Sequence, residues 1–402
     1  MALVDQIKND PIPRELAFAP EEYAARVARV QASMARQGLD LVILSLRPNL
    51  GYLTGYDTAL ASAYAIGLVP AEGPVWIHCA ELMAPCALLF STIEDVQVYR
   101  WTDGVEPGTQ LARLLKDRGY DGKRIGVEKA YPETFAGGPL DARSFEIYQE
   151  ELPNAEFTDA TTLVLDVRLV KSPAEIEMIR KAGRITALGV TAAIDTIAEG
   201  VTDNQVIGAA EGAMIAGGGD SPSGNATCLV GRRAGYIPLA TFKNHKLAKG
   251  DPAYMEIVGC SGRYNAPNMR TAVIGQPSDG LRRLADASLD NVQWLLENIK
   301  PGRTADELAS ECWKRIDAIE GAYFHGAFGY SIGLSFQPCW TEAPMYIARG
   351  IEVELQPGMC FHLANCYSMP AQYGAGFSES IAVTETGCEM LSTGVQRELV
   401  VR

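Results

Sequence analysis

Apolar residues recur at helical spacing along much of this chain. After Pro20-Glu21-Glu22, the residues Tyr23, Val27, Val30 and Met34 repeat every three to four positions, and Gly38 ends the repeat. A long amphipathic pattern follows Ser172-Pro173-Ala174-Glu175 through Ile176, Ile179, Ala182, Ile185 and Leu188. Its start combines an N-cap serine, a proline at the first helical position and a glutamate three residues after the cap. Further helices are predicted over 203–216, 279–299 and, capped by Thr304, 305–319. Short continuous apolar runs read instead as buried strands: 39–44, 62–68, 75–78, 124–127, 227–230 and 254–258, with alternating segments from Cys360 to Thr384. Gly217 to Gly224 is a glycine-rich turn that lacks the Lys-Ser/Thr of a phosphate cradle.

This alternation of helix and strand predicts an α/β protein. The cap at Ser172 places a boundary near it, so the chain is read as domains 1–168 and 169–402. With 402 residues and 47% hydrophobic content, both can hold a core. The net charge of −14 argues against nucleic acid or an anionic membrane as partner. No apolar run approaches a membrane span, and the N-terminus lacks the charged-then-apolar order of a signal peptide. The nine cysteines are scattered without a Cys-x-x-Cys pair, which suits reduced thiols in the cytoplasm.

Glu256 interrupts the apolar run Tyr254 to Val258. A carboxylate buried there without a partner costs roughly several kcal/mol, so it is either a working acid or an exposed strand residue. As a working acid it serves as nucleophile or general base toward an electron-poor carbon. Glu379, between two serines, is a second candidate, able to share acid and base roles with Glu256 or to hold a substrate cation. Tyr330, between glycines, can donate to a developing oxyanion. Arg263 and Arg270 can meet a substrate carboxylate, though Arg270 also reads as structural. His362 is one of four histidines, and like His325 it can act near neutral pH. No His-Glu-x-x-His helix site and no Gly-x-Ser-x-Gly elbow is present.

The segments 250–259 and 262–271, Gly329-Tyr330-Ser331-Ile332-Gly333, Pro357-Gly358-Met359 and Glu379-Ser380 together resemble the pita-bread superfamily of prolidases, methionine aminopeptidases and creatinases. In the metallopeptidases of that superfamily these segments carry the metal ligands. Here the ligand positions hold Glu256, Pro267, Tyr330, Ala364 and Glu379, so no bound metal and no cofactor is expected. Arg26 to Asp40 and Asn49 to Asp57 resemble the creatinase-type N-terminal domain. Glu256, Arg263-Tyr264, Pro267, Arg270-Thr271, the Tyr330 segment and Phe361-His362 resemble the metal-independent ectoine hydrolases.

That resemblance implies a creatinase-like N-terminal domain, a C-terminal pita-bread domain, and hydrolysis of a non-peptide C–N bond in a small zwitterionic compound, foremost a cyclic amidine. It implies Glu256, Glu379 and Tyr330 as catalytic residues, and Arg263, His362, Arg270 and Tyr56 as substrate-binding residues. It implies a homodimer in which one N-terminal domain covers the partner's site. Leu239 stands where ectoine hydrolases and creatinases keep a histidine, and Thr58 to Ala63 replaces an aromatic-rich stretch, so the pocket is expected to differ in shape. The alternatives are a creatinase-like hydrolase acting on another small amidino or amide substrate, and a catalytically inactive small-molecule-binding protein.

Overall fold

The computed structural model describes residues 3–9, 11–129, 140–236 and 239–402. Two compact units divide the chain, Met1–Arg168 and Leu169–Arg402.

In the first unit, strands β1 (Leu41–Leu44), β2 (Ala65–Pro70), β3 (Trp76–Ala80), β4 (Val96–Tyr99), β5 (Arg124–Val127) and β6 (Glu156–Asp159) form one sheet in the order β4-β3-β2-β1-β5-β6. Pairing is antiparallel within β1–β2–β3 and parallel outside it. The helix Pro20–Gln37 covers part of the sheet through Val30 and Met34, and Gly38 ends it at φ 64°, the left-handed region glycine enters without penalty. Glu128 is buried at the end of β5 and accepts the amides of Ser45 and Leu46 and the Asn49 side chain, which anchors the helix Arg47–Thr54. Burial nevertheless pushes its carboxyl up to about 7.

The second unit opens on the helix Pro173–Thr196. Ser172 accepts the Glu175 amide while the Glu175 carboxylate accepts the Ser172 amide, a closed capping box. Thr202 and Thr304 start the helices Asp203–Ala216 and Ala305–Asp317 in the same way. Strands β7 (Thr227–Val230), β8 (Pro252–Ser261) and β9 (Tyr264–Val273) pair antiparallel, and β17 (Val400–Val401) joins the β9 edge. One face of this sheet buries Met255, Ile257 and Ala272 against Ile185, Val190 and Val206 of the first two helices. A second sheet runs β11-β10-β12-β15-β16, with β10 at Ala327–Ile332, β11 at Thr341–Ala348, β12 at Cys360–His362, β15 at Ser380–Val383 and β16 at Cys388–Met390. The hairpin of β13 (Asn365–Met369) and β14 (Tyr373–Phe377) completes the unit. Among the described residues, no helix is long and apolar enough to cross a membrane.

Candidate active site

Side chains directly opposite on paired strands share a face. Thr227, Glu256 and Met269 therefore form one row across β7, β8 and β9. This face is turned away from the helices and packs Leu229, Ala234, Tyr254 and Met269 against Ala364, Cys366 and Tyr330. Glu256 stands in that apolar cluster at 4% exposure. Among the described residues no cation offsets its charge: burial pushes its carboxyl up to about 8, and the Tyr330 hydroxyl, hydrogen-bonding to it, pulls the other way. The other buried acids of this unit are compensated. Glu342 pairs with Lys171, Glu379 pairs with Arg270, and Glu175 accepts the Tyr264 hydroxyl and the Ser172 amide.

Tyr330 is brought to Glu256 by β10, where it faces His362 of β12 across the ladder. The Tyr330 hydroxyl accepts the Trp340 indole N–H at 2.7 Å and lies 2.7 Å from His362 Nδ1. His362 Nε2 lies 2.6 Å from Ser378 Oγ, and Ser378 Oγ accepts the Met269 amide at 2.6 Å. The contacts thus return to the strand partner of Glu256. His362 is fully buried, and burial, aided by the nearby Arg270 charge, pushes its pKa down to about 3. The imidazole is neutral at physiological pH, so it is a fixed hydrogen-bonding group and not a proton-switching acid.

Glu379 and Arg270 form a separate unit beside this chain. Arg270 donates to Glu379 Oε1 at 2.7 Å, to the carbonyls of Met269 and Ser378 at 2.8 Å, and to the Gln396 carbonyl at 2.7 Å. Glu379 Oε2 accepts from Ser392 at 2.7 Å and from Asn268 at 3.4 Å. Both oxygens of Glu379, expected as a catalytic acid, thus have partners within the protein. Arg270, expected as a substrate ligand, is 1% exposed and braces Glu379.

Two further expected ligands are Arg263 and Tyr56. Arg263 occupies the turn of the β8–β9 hairpin at φ 66°, with its guanidinium over the Phe336 ring. Tyr56 is 1% exposed inside the core of the first unit with Leu50, Ile77 and Met83. His325 is exposed on the loop before β10 and contacts Phe324. Leu239 is 71% exposed, and Pro238 lies outside the described residues.

The sequence reading missed Trp340 and Ser378. A Trp in the Cys339-Trp340 turn and a Ser beside an acid carry no local signal, since their partners are distant in the chain. The glycine-rich turn Gly217 to Gly224 reaches the same tryptophan. A Cβ on Gly224 would come within 2.3 Å of the Trp340 ring, so this glycine is required for the indole to pack there.

The positions that hold metal in the metallopeptidases are occupied by side chains that do not suit a metal pair. Pro267 and Ala364 have no donor, Tyr330 is committed to Trp340, His362 and Glu256, and Glu379 is bound by Arg270. Among the described residues, no three His, Cys, Asp or Glu side chains converge. A dinuclear site needs several such ligands at fixed distances, so these residues do not fit one.

Comparison with known proteins agrees with this fold. Ectoine hydrolase from Halomonas elongata is 31% identical over 398 residues, covering 94% of this chain and 96% of that protein. Creatinase from a Bacillus species is 26% identical over 395 residues, covering 93% and 91%. The crystal structure of the prolidase from Pyrococcus horikoshii superposes with a TM-score of 0.79 at 23% identity, covering 94% of this chain and all of that one. Residues 26–170 match the creatinase/prolidase N-terminal domain, and residues 177–385 match metallopeptidase family M24. The chain belongs to the pita-bread hydrolases of metallopeptidase family M24, with a creatinase-type N-terminal domain ahead of the M24 domain.

Proposed function

We propose that the protein is a metal-independent hydrolase of a non-peptide C–N bond in a small cationic or zwitterionic compound, foremost a cyclic amidine of the ectoine kind. The observation that carries this reading is Glu256, a buried carboxylate that no cation among the described residues pairs with. An amidinium bound against it supplies the missing positive charge. The same cation favours the ionised form of Glu256, so substrate binding itself generates the reactive carboxylate. The similarity to an ectoine hydrolase over nearly the full length of both chains supports this substrate class.

Glu256 serves as general base or nucleophile at the amidinium carbon. In the base route, water oxygen bonds to that carbon as Glu256 takes its proton. The proton returns to one ring nitrogen as the C–N bond breaks, leaving an amide at one end of the opened chain and an amine at the other. In the nucleophile route, the Glu256 oxygen bonds to the same carbon first. One ring C–N bond then breaks as the nitrogen that stays gives its proton to the nitrogen that leaves as an amine. Water adds to the resulting imidoyl ester and breaks the Glu256 O–C bond, leaving the amide and the carboxylic acid. Tyr330 donates to Glu256 or to the oxygen that gains charge, with Trp340 holding its ring in place. Turnover of ectoine and related cyclic amidines, followed by chromatography with Glu256→Gln as control, tests the reading. Conversion by wild type and loss in the variant support it, and equal behaviour of the two on every converted compound excludes it.

A further inference from the structure

The contacts around His362 leave one consistent placement of the protons. An amide N–H only donates, so Ser378 Oγ accepts from Met269. If His362 carried its proton on Nε2, Ser378 Oγ would accept a second time. Its own proton would then face no acceptor among the described residues, in a fully buried position. Ser378 therefore donates to Nε2, and the imidazole proton sits on Nδ1. Nδ1–H donates to the Tyr330 hydroxyl, which already accepts the Trp340 N–H. With two donors directed at its oxygen, Tyr330 has only its own O–H left to give, and Glu256 is the acceptor beside it.

We infer that Ser378 locks His362 in the neutral Nδ1–H tautomer, and that this lock turns the Tyr330 hydroxyl proton toward Glu256. His362 and Ser378 are then positioning residues that set the charge state of Glu256 without touching substrate. This inference rests on the assignment of Glu256 as the reacting carboxylate. The neighbouring groups are consistent with it. Tyr254 and Cys366 face Glu256 and, both un-ionised through burial, add no charge. Arg270, the charged neighbour of His362, opposes its protonation.

The test is long-range 1H–15N NMR on the full chain labelled with 15N-histidine, where four histidines give a tractable spectrum. His362, assigned through His362→Gln, is expected to show the Nδ1–H pattern unchanged from pH 5 to 9. Ser378→Ala is expected to move it toward Nε2–H, and Ser378→Thr, which keeps the hydroxyl, to restore it. In kcat/KM against pH, the acid limb of Ser378→Ala should rise by about one unit, the same direction as Tyr330→Phe, because Glu256 loses a donor to its ionised form. An Nε2–H or protonated His362 in wild type, or a Ser378→Ala spectrum identical to wild type, overturns the lock. The NMR result is independent of turnover. Failure to hydrolyse any cyclic amidine with the tautomer intact removes the hydrolase reading and leaves the lock standing.

Discussion

The Arg270 guanidinium lies 2.7 Å from Glu379 Oε1, with both side chains 1% exposed. This ion pair distinguishes the two conspicuous acids. Glu379 is paired and hydrogen-bonded on both oxygens, whereas Glu256 is buried with a tyrosine hydroxyl as its hydrogen-bonding compensation among the described residues. Removing one member of a buried pair strands the other, so Arg270→Ala is expected to cost about 3–5 kcal/mol of stability. Arg270→Met with Glu379→Gln should recover part of that loss. Chemical denaturation of Arg270→Met, Glu379→Gln and the double variant checks this, and additive single effects would contradict the pairing.

Glu256 should impose a pH dependence on stability. Its folded pKa of about 8 lies above the usual carboxylate range. The folded state therefore binds more protons than the unfolded state between roughly pH 4.5 and 8, and stability falls as pH rises through that window. Glu256→Gln removes the effect. It is expected to be more stable than wild type at pH 8.5, by up to a few kcal/mol, with the difference shrinking toward pH 5. Thermal unfolding across pH measures it. His362 acts at the other end: its depressed pKa means stability is lost as pH falls below about 6.5.

Trp340 should matter to catalysis through its indole N–H. Trp340→Phe keeps the ring against Gly224 but removes the donor to Tyr330. A loss of roughly tenfold or more in kcat with little change in KM is expected, the mark of an interaction expressed in the transition state. A change confined to KM would instead make Trp340 a wall of the binding pocket.

Gly224→Ala should disturb the same site by sterics. The new methyl would meet the Trp340 ring at 2.3 Å, so the indole or the Gly217–Gly224 turn must shift. Reduced activity with a changed tryptophan fluorescence spectrum is expected, and an unchanged spectrum would show that the turn yields without moving the indole.

Much of the fold is legible in the sequence. The pattern after Ser172 becomes the helix Pro173–Thr196 with its capping box intact, and the glutamate three residues on is the one that closes the box. The apolar run 254–258 becomes the centre of β8, extended to Pro252–Ser261 by its pairing with β9. Local signals of period and capping suffice for such elements. Glu256 is also legible, because an acid inside an apolar strand contradicts its surroundings. Other site features are not local. The pairing of Arg270 with Glu379 joins residues on different strands, and so do the contacts of Ser378 with His362 and Trp340 with Tyr330. Around Tyr56 the local motif marks a domain, while its packing against Leu50 and Ile77 is set by residues from other strands and helices.

Turnover of a cyclic amidine by exhaustively metal-stripped protein shows whether Glu256 does the chemistry with no bound metal ion. The rate should be unchanged by chelator and by added manganese or cobalt, and Glu256→Gln should lose at least about a thousandfold under the same conditions. Activity that disappears on stripping and returns with either metal would contradict metal-free chemistry at Glu256.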